Sequence, residues 1–348
     1  MQNQTANDVA LIDASSLTAA IVGGGVIGAG WAARFLLHGA AVNVFDPDPE
    51  APRKMDEVLA NARQSYPQLF DHALPAEGTL TFCETIEAAV ATADWVQESV
   101  PERLEVKHAT YKSIFAAARD TTLIGSSTSG FKPSDLQAGL TKPERLMVAH
   151  PFNPVYLLPL VELVPGDKGS SKTTERAKEI LTAIGMKPLV VRKEIDAHIA
   201  DRFLEAVWRE GLWLIKDGVA TTTEIDDAIR YGFGLRWAQM GLFETYRVAG
   251  GEAGMAHFIA QFGPCLSWPW TRLMDVPELD DELVNTIATQ SDEQSGQYSI
   301  RELERIRDSN LIGIMQALKQ NNWGAGELLR EQEKRLAGSE SQKPDVQS

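Results

Sequence analysis

Cysteine is nearly absent: the 348 residues contain two, Cys83 and Cys265. Two thiols cannot build a disulfide framework, and neither falls in a C-x-x-C or Cys/His spacing, so a disulfide-stapled fold and a structural metal site are both disfavoured. That usage fits a reducing cytoplasm. Basic residues are also scarce, 33 Lys and Arg against 48 Asp and Glu, for a formal charge of −15. Such a chain repels phosphate backbones and shows no compact basic patch, which argues against nucleic acid as a partner. Long apolar runs are missing too. Nowhere do about 18 uncharged apolar residues follow one another, so no membrane-spanning helix is expected. The opening M-Q-N-Q-T-A-N-D-V-A-L-I-D-A-S-S lacks the basic start and apolar stretch of a secretory signal. No internal repeat of fixed period is visible.

What is present is enough apolar material, 44% of residues, for one or two ordinary cores. From Thr18 onward short apolar runs alternate with helical patterns, as in a parallel sheet covered on both faces. T-A-A-I-V and A-V-N-V-F-D read as the first two strands, separated by a helix from about Gly28 to His38. Further strands are T-L-T-F, D-W-V-Q-E-S-V, T-T-L-I-G-S-S, R-L-M-V-A-H and K-P-L-V-V-R-K. After about Glu194 the strand signal stops and long amphipathic segments follow. The expected fold class is therefore α/β, a doubly wound Rossmann-type sheet followed by an all-helical part. The expected division is a flexible extension over 1–16, a nucleotide domain over 17–194, a helical substrate domain over 195–336 and a disordered tail over 337–348.

I-V-G-G-G-V-I-G sets Gly23, Gly25 and Gly28 as G-x-G-x-x-G between the first strand and the first helix. The first glycine permits the tight turn, the second lets backbone approach a pyrophosphate, and the third lets helix and strand pack closely. Val26 and Ile27 open the helix whose N-terminus faces that charge, and they join the cofactor contacts. Asp46 closes the second strand, where a carboxylate accepts hydrogen bonds from ribose hydroxyls and repels a 2′-phosphate. The cofactor expected is NAD.

V-A-H-P-F-N-P-V-Y-L-L-P-L-V-E-L-V, from Val148 to Val164, carries His150 and Glu162 in an otherwise apolar run. Transfer of hydride from an alcohol carbon needs a base for the hydroxyl proton, and a neutral histidine suits that near physiological pH. A carboxylate on its other ring nitrogen fixes the tautomer and steadies the imidazolium. Pro151 and Pro154 favour a bend that could bring the two together.

H-P-F-N-P followed by V-E-L-V resembles the signature of the 3-hydroxyacyl-CoA dehydrogenase family, and the likeness runs from Leu17 to about Ala337. The resemblance implies His150 as acid/base, Glu162 as its orienter, and Ser129 of S-S-T-S-G as a catalytic contact to the substrate oxygen. The E-S-V-P-E-R-L-E-V-K segment is similar to the family's cofactor loop and implies that Glu102 and Lys107 contact the nicotinamide side of NAD. It also implies a homodimer assembled through the helical domain. Two departures bear on the substrate. A-H-I-A-D-R places Asp201 where CoA-dependent members have asparagine, and G-L-R-W-A-Q-M-G places Arg236 where it could hold a free carboxylate bidentately. Trp268 and Trp270 flank Pro269 at a spacing unsuited to a helical core stripe, and tryptophan faces attract quaternary ammonium groups. The expected substrate is a small free 3-hydroxy acid with a quaternary ammonium end. A polyol acid such as gulonate, a CoA ester, and a non-enzymatic NAD-binding role are the alternatives.

Overall fold

The computed structural model describes residues 12–249, 254–262 and 280–340, with Thr271 and Glu278. Two compact units divide the chain. The first takes the described residues up to Ile199, then Asp308–Gln320 and the chain from Ala325; the second takes Ala200–Arg307 and Asn321–Gly324.

One sheet organises the first unit: β1 (Thr18–Val22), β2 (Ala41–Phe45), β3 (Leu80–Phe82), β4 (Trp95–Glu98), β5 (Leu123–Ser126), β6 (Leu146–Pro151), β7 (Leu160–Val164) and β8 (Lys187–Val190). Their spatial order is β3-β2-β1-β4-β5-β6-β7-β8. From β3 to β6 every pairing is parallel, whereas β7 is antiparallel to β6 and β8 parallel to β7. The alternation of strand and helix in the sequence points to a parallel sheet without β7, so this reversal is a correction. Its cause is length: residues 152–159 are too few for the crossover of a dozen or more that parallel neighbours need. The chain turns straight back as a hairpin instead.

Side chains alternate between the two faces of the sheet. Ala19 and Ile21 of β1, Met147 and Ala149 of β6, and Val161 and Leu163 of β7 pack with Trp31, Phe35, Met55 and Ile180 on one side. Ala20, Val22, Val148 and Val164 pack with Val90, Tyr111 and Ile114 on the other. Burial on both faces is why β4, β5 and β6 are buried at every position and read as nearly continuous apolar runs. The same alternation sends His150 and Glu162 to the face of Val148 and Val164. The returning loop is held by Arg34 of the helix Val26–Leu37, whose guanidinium donates to the carbonyls of Val155 (2.9 Å) and Leu157 (3.1 Å) and to Tyr66 Oη (2.8 Å).

The helices Ile300–Gln320 and Ala325–Glu340 add Ile312, Met315, Leu329 and Leu336 to the first of these cores. Tyr156 donates to Asp308 (2.6 Å), and Lys319 reaches the carbonyl of Leu69 (3.0 Å) and Glu333 (2.8 Å). The stretches Asp308–Gln320 and 325–336, which periodicity assigns to a helical domain over 195–336, thus belong with the sheet. The helix also continues to Glu340, past the tail boundary at 337, because Leu328, Leu329, Gln332 and Leu336 bury one stripe of it. At the other end, Asp13 caps a short turn, Ala14–Ser16, with Ala14 buried, so that part of the 1–16 extension is ordered.

The second unit contains the helices Ala200–Lys216, Thr222–Ala228, Gly234–Ala249, Gly254–Phe262 and Asp281–Ser295, with no strand among its described residues. Thr221 and Glu224 close a capping box that starts the second of these. No described helix is long and apolar enough to cross a membrane.

Candidate active site

The carboxyl ends of adjacent parallel strands present a row of functional groups: the glycine turn after β1, Glu98 and Ser99 at β4, Ser126 to Ser129 at β5, and His150 at β6. Open sheets bind ligands at such ends, where the strand order reverses direction, here between β1 and β4.

Gly23 has φ +98°, a conformation favouring glycine, and a Cβ there would lie 2.6 Å from the Ser99 carbonyl oxygen. A Cβ on Gly28 would meet the Gly23 carbonyl oxygen at 1.9 Å, so helix and turn could not pack as they do. Beside Gly25 a Cβ would meet nothing within 4 Å, leaving open space next to the uncapped N-terminus at Val26 and Ile27. Asp46 Oδ2 accepts from the Gly24 amide (2.6 Å) and so stands beside the turn. These groups fit a dinucleotide: a helix N-terminus without a side-chain cap for the pyrophosphate and a carboxylate at the end of β2 for the ribose.

His150 and Glu162 are direct partners across the β6/β7 hairpin. His150 Nδ1 lies 3.1 Å from Glu162 Oε2. An ionised carboxylate only accepts, so Nδ1 carries the proton and Nε2 keeps a lone pair. Glu162 is fully buried, and its other oxygen accepts from the Ile199 amide (2.8 Å). Backbone strain accompanies that contact, since Ala197 (φ 57°) and His198 (φ 50°) are consecutive left-handed residues without being glycine. The buried His198 ring stands 5.6 Å from that of His150 and donates from Nε2 to the Thr128 carbonyl (3.4 Å). His198 thereby links His150 to the loop that carries Ser129. Sequence reasoning missed it, although A-H-I-A-D-R displayed a second histidine.

Ser129 is exposed. Its neighbours are gripped by one oxygen of Glu102, which accepts from Thr128 Oγ1 and from the Gly130 amide (3.2 Å). Lys107 is buried, with Nζ 2.8 Å from Glu98 and 3.2 Å from Glu102. Burial opposes the charge on Glu102, but the Thr128 hydroxyl, the Lys107 cation and the Gly130 amide outweigh it and hold this carboxyl below its usual range. Tyr111 is pushed the other way, well above the phenol range, by burial first and then by the Glu98 charge.

Two family models match the chain, the NAD binding domain of 3-hydroxyacyl-CoA dehydrogenase over residues 18–195 and its C-terminal domain over 198–291. The chain belongs to the 3-hydroxyacyl-CoA dehydrogenase family. Its relatives include the L-carnitine dehydrogenase/betainyl-CoA thioesterase of Ruegeria pomeroyi, 68% identical over 319 residues that make up 92% of this chain and 66% of that protein. The chain thus spans just under two thirds of that relative's length. The L-carnitine dehydrogenase of Mesorhizobium japonicum is 62% identical over 94% of this chain and 91% of its own. Among solved structures, an NAD⁺-dependent 5-formyl-3-hydroxy-2-methylpyridine 4-carboxylic acid 5-dehydrogenase is 26% identical, with a TM-score of 0.71 over 87% of this chain and 98% of that one. As a family member the protein uses NAD, and the first unit holds the groups that fit it.

The substrate candidates of this 3-hydroxyacyl-CoA dehydrogenase relative lie elsewhere. Asp201 falls in the first turn of the helix Ala200–Lys216, and Arg236 is exposed on Gly234–Ala249. Trp268 and Trp270 lie outside the described residues. Among the described residues no His, Cys, Asp and Glu cluster could hold a metal ion.

Proposed function

We propose that this protein oxidises the 3-hydroxyl of L-carnitine to 3-dehydrocarnitine, reversibly and with NAD. The observation that carries the chemistry is the His150–Glu162 hydrogen bond on the row of strand ends that also bears the glycine turn. The substrate assignment draws on the names of the relatives at 68% and 62% identity. His150 Nε2 takes the hydroxyl proton, and Glu162 steadies the imidazolium that results. Ser129 holds the reacting oxygen. NAD, when bound, supplies the acceptor for the C3 hydride. Gly23, Gly25, Val26, Ile27, Gly28 and Asp46 hold its adenosine and pyrophosphate, and Glu102 borders its nicotinamide side, with Lys107 behind.

Carnitine is a free acid with a trimethylammonium end, so it needs a cation at one end and an anion or aromatic faces at the other. Arg236 takes the carboxylate in this reading, and Asp201, Trp268 and Trp270 take the ammonium. The protein works as a cytoplasmic homodimer. Exposed apolar side chains in the helical unit, among them Trp208 (61%), Leu235 (63%) and Phe243 (70%), support burial against a second copy.

The test follows NAD reduction with L-carnitine, D-carnitine, L-gulonate and 3-hydroxybutyryl-CoA side by side. Turnover with a carnitine enantiomer far above the other two compounds is expected, and activity confined to the CoA ester would refute the free-acid reading.

A further inference from the structure

Glu98 takes no part in the proton chemistry above, yet it is a fully buried acid beside it. Its Oε1 accepts from Lys107 Nζ (2.8 Å) and the Val100 amide (2.8 Å), and its Oε2 from Tyr111 Oη (2.5 Å) and Ser126 Oγ (2.6 Å). Four donors saturate the carboxylate, the condition under which a charge persists away from water. Those donors come from β5, from the helix Leu104–Ala117 and from the turn after β4, so one side chain pins three segments.

The network does not stop at its buried end. Lys107, with its side chain only 1% exposed, bridges from Glu98 to Glu102, whose side chain is 45% exposed. Glu102 in turn receives Thr128 Oγ1 and the Gly130 amide, the two neighbours of Ser129, and Thr128 Oγ1 accepts from the Phe131 amide (3.0 Å). A cluster that served stability alone would have no need to run outward from a buried acid and finish on a functional loop.

We propose that Glu98 is a positioning residue that acts through Lys107 and Glu102 to fix the Thr128–Gly130 backbone, and with it the Ser129 hydroxyl. Lys107 is then a link in this chain, neutralising Glu98 and aiming Glu102. The proposal rests on the reading of Ser129 as the contact to the substrate oxygen.

Glu98→Gln is compared in the wild-type and Ser129→Ala backgrounds, with kcat and KM for L-carnitine oxidation, NADH affinity by fluorescence, and melting temperature. In the wild-type background kcat falls about tenfold or more, as misplacing a contact group does. In the Ser129→Ala background the same change costs less than about twofold, because the group it positions is already gone. Glu98→Asp, which keeps the charge, restores part of the rate. Equal losses in both backgrounds, or a lowered melting temperature with kcat intact, would overturn the proposal. Should Glu98→Gln not fold, Tyr111→Phe and Ser126→Ala enter the same cycle, each removing one donor from the carboxylate, and unchanged kcat in both would overturn it equally. A wild type that oxidises L-gulonate or 3-hydroxybutyryl-CoA instead would refute the carnitine reading alone, since the cycle reads the same on either substrate.

Discussion

The two units of this chain treat apolar surface in opposite ways. In the sheet unit Ala19, Ala20, Ile21, Val96, Ile124, Met147 and Val148 are wholly buried, and two interior charged groups are fully engaged, Arg34 with two carbonyls and a phenol, Glu98 with four donors. In the helical unit the described residues bury Leu212, Thr245 and Leu283, while Trp208, Tyr231, Leu235 and Phe243 stand more than half exposed. A unit that buries its own apolar groups can hold a hydrogen-bonded dyad in fixed geometry. One that leaves large side chains uncovered has surface to give to a partner. In the proposed function chemistry and recognition would divide accordingly: His150, Glu162, Ser129 and the proposed cofactor groups belong to the first unit, and the candidates for the two ends of the substrate that lie among the described residues, Asp201 and Arg236, to the second.

That contrast can be broken or sharpened by substitution. The largest effect falls in the sheet core, where Trp31→Ala leaves a cavity and costs about 3–5 kcal/mol of unfolding free energy by denaturant titration. The next is a pH effect. Burial first, then the charges of Arg34 and Arg335, lower His38 from its ordinary 6.5 to about 3. The unfolded chain therefore binds a proton below pH 6.5 that the folded chain refuses, so stability is complete above 6.5 and falls as pH drops toward 3. The slope from this group is roughly 1.4 kcal/mol per pH unit, and His38→Gln should flatten it in acid unfolding. Smaller again is Arg236→Ala, which should raise KM for L-carnitine about tenfold or more with the melting temperature unchanged, as loss of a charge-assisted pair predicts. Smallest in stability is Trp208→Ser, within about 0.5 kcal/mol for an exposed site, yet sedimentation should show it weakening the proposed dimer.

Legibility in the sequence followed the same division. The first strands, the glycine turn and Asp46 could be read because each needs a particular residue at a particular spacing. The His150–Glu162 pairing was half legible: the prolines announced a bend, but the antiparallel register that puts the two face to face depends on the short loop. Glu98 was hidden although D-W-V-Q-E-S-V displayed it, since a lone acid at a strand end gives no sign of its donors on other elements. Lys107, which the resemblance implies as a contact to the nicotinamide side, is instead buried in that same network with its charge on Glu98 and Glu102. Periodicity also located the helix Ile300–Gln320 without revealing that Asp308 onward packs with the sheet, because a stripe shows that a face is buried and not against what.

The most direct test of the dyad is the pH dependence of L-carnitine oxidation in the wild type and in His150→Ala, with folding checked in both. Oxidation releases a proton and needs the neutral imidazole, so the wild-type rate should climb from acid toward alkaline pH. His150→Ala should lose about 10²- to 10⁴-fold in kcat and much of that climb with it. A folded variant within about tenfold of wild type, rising with pH in the same way, would contradict the account.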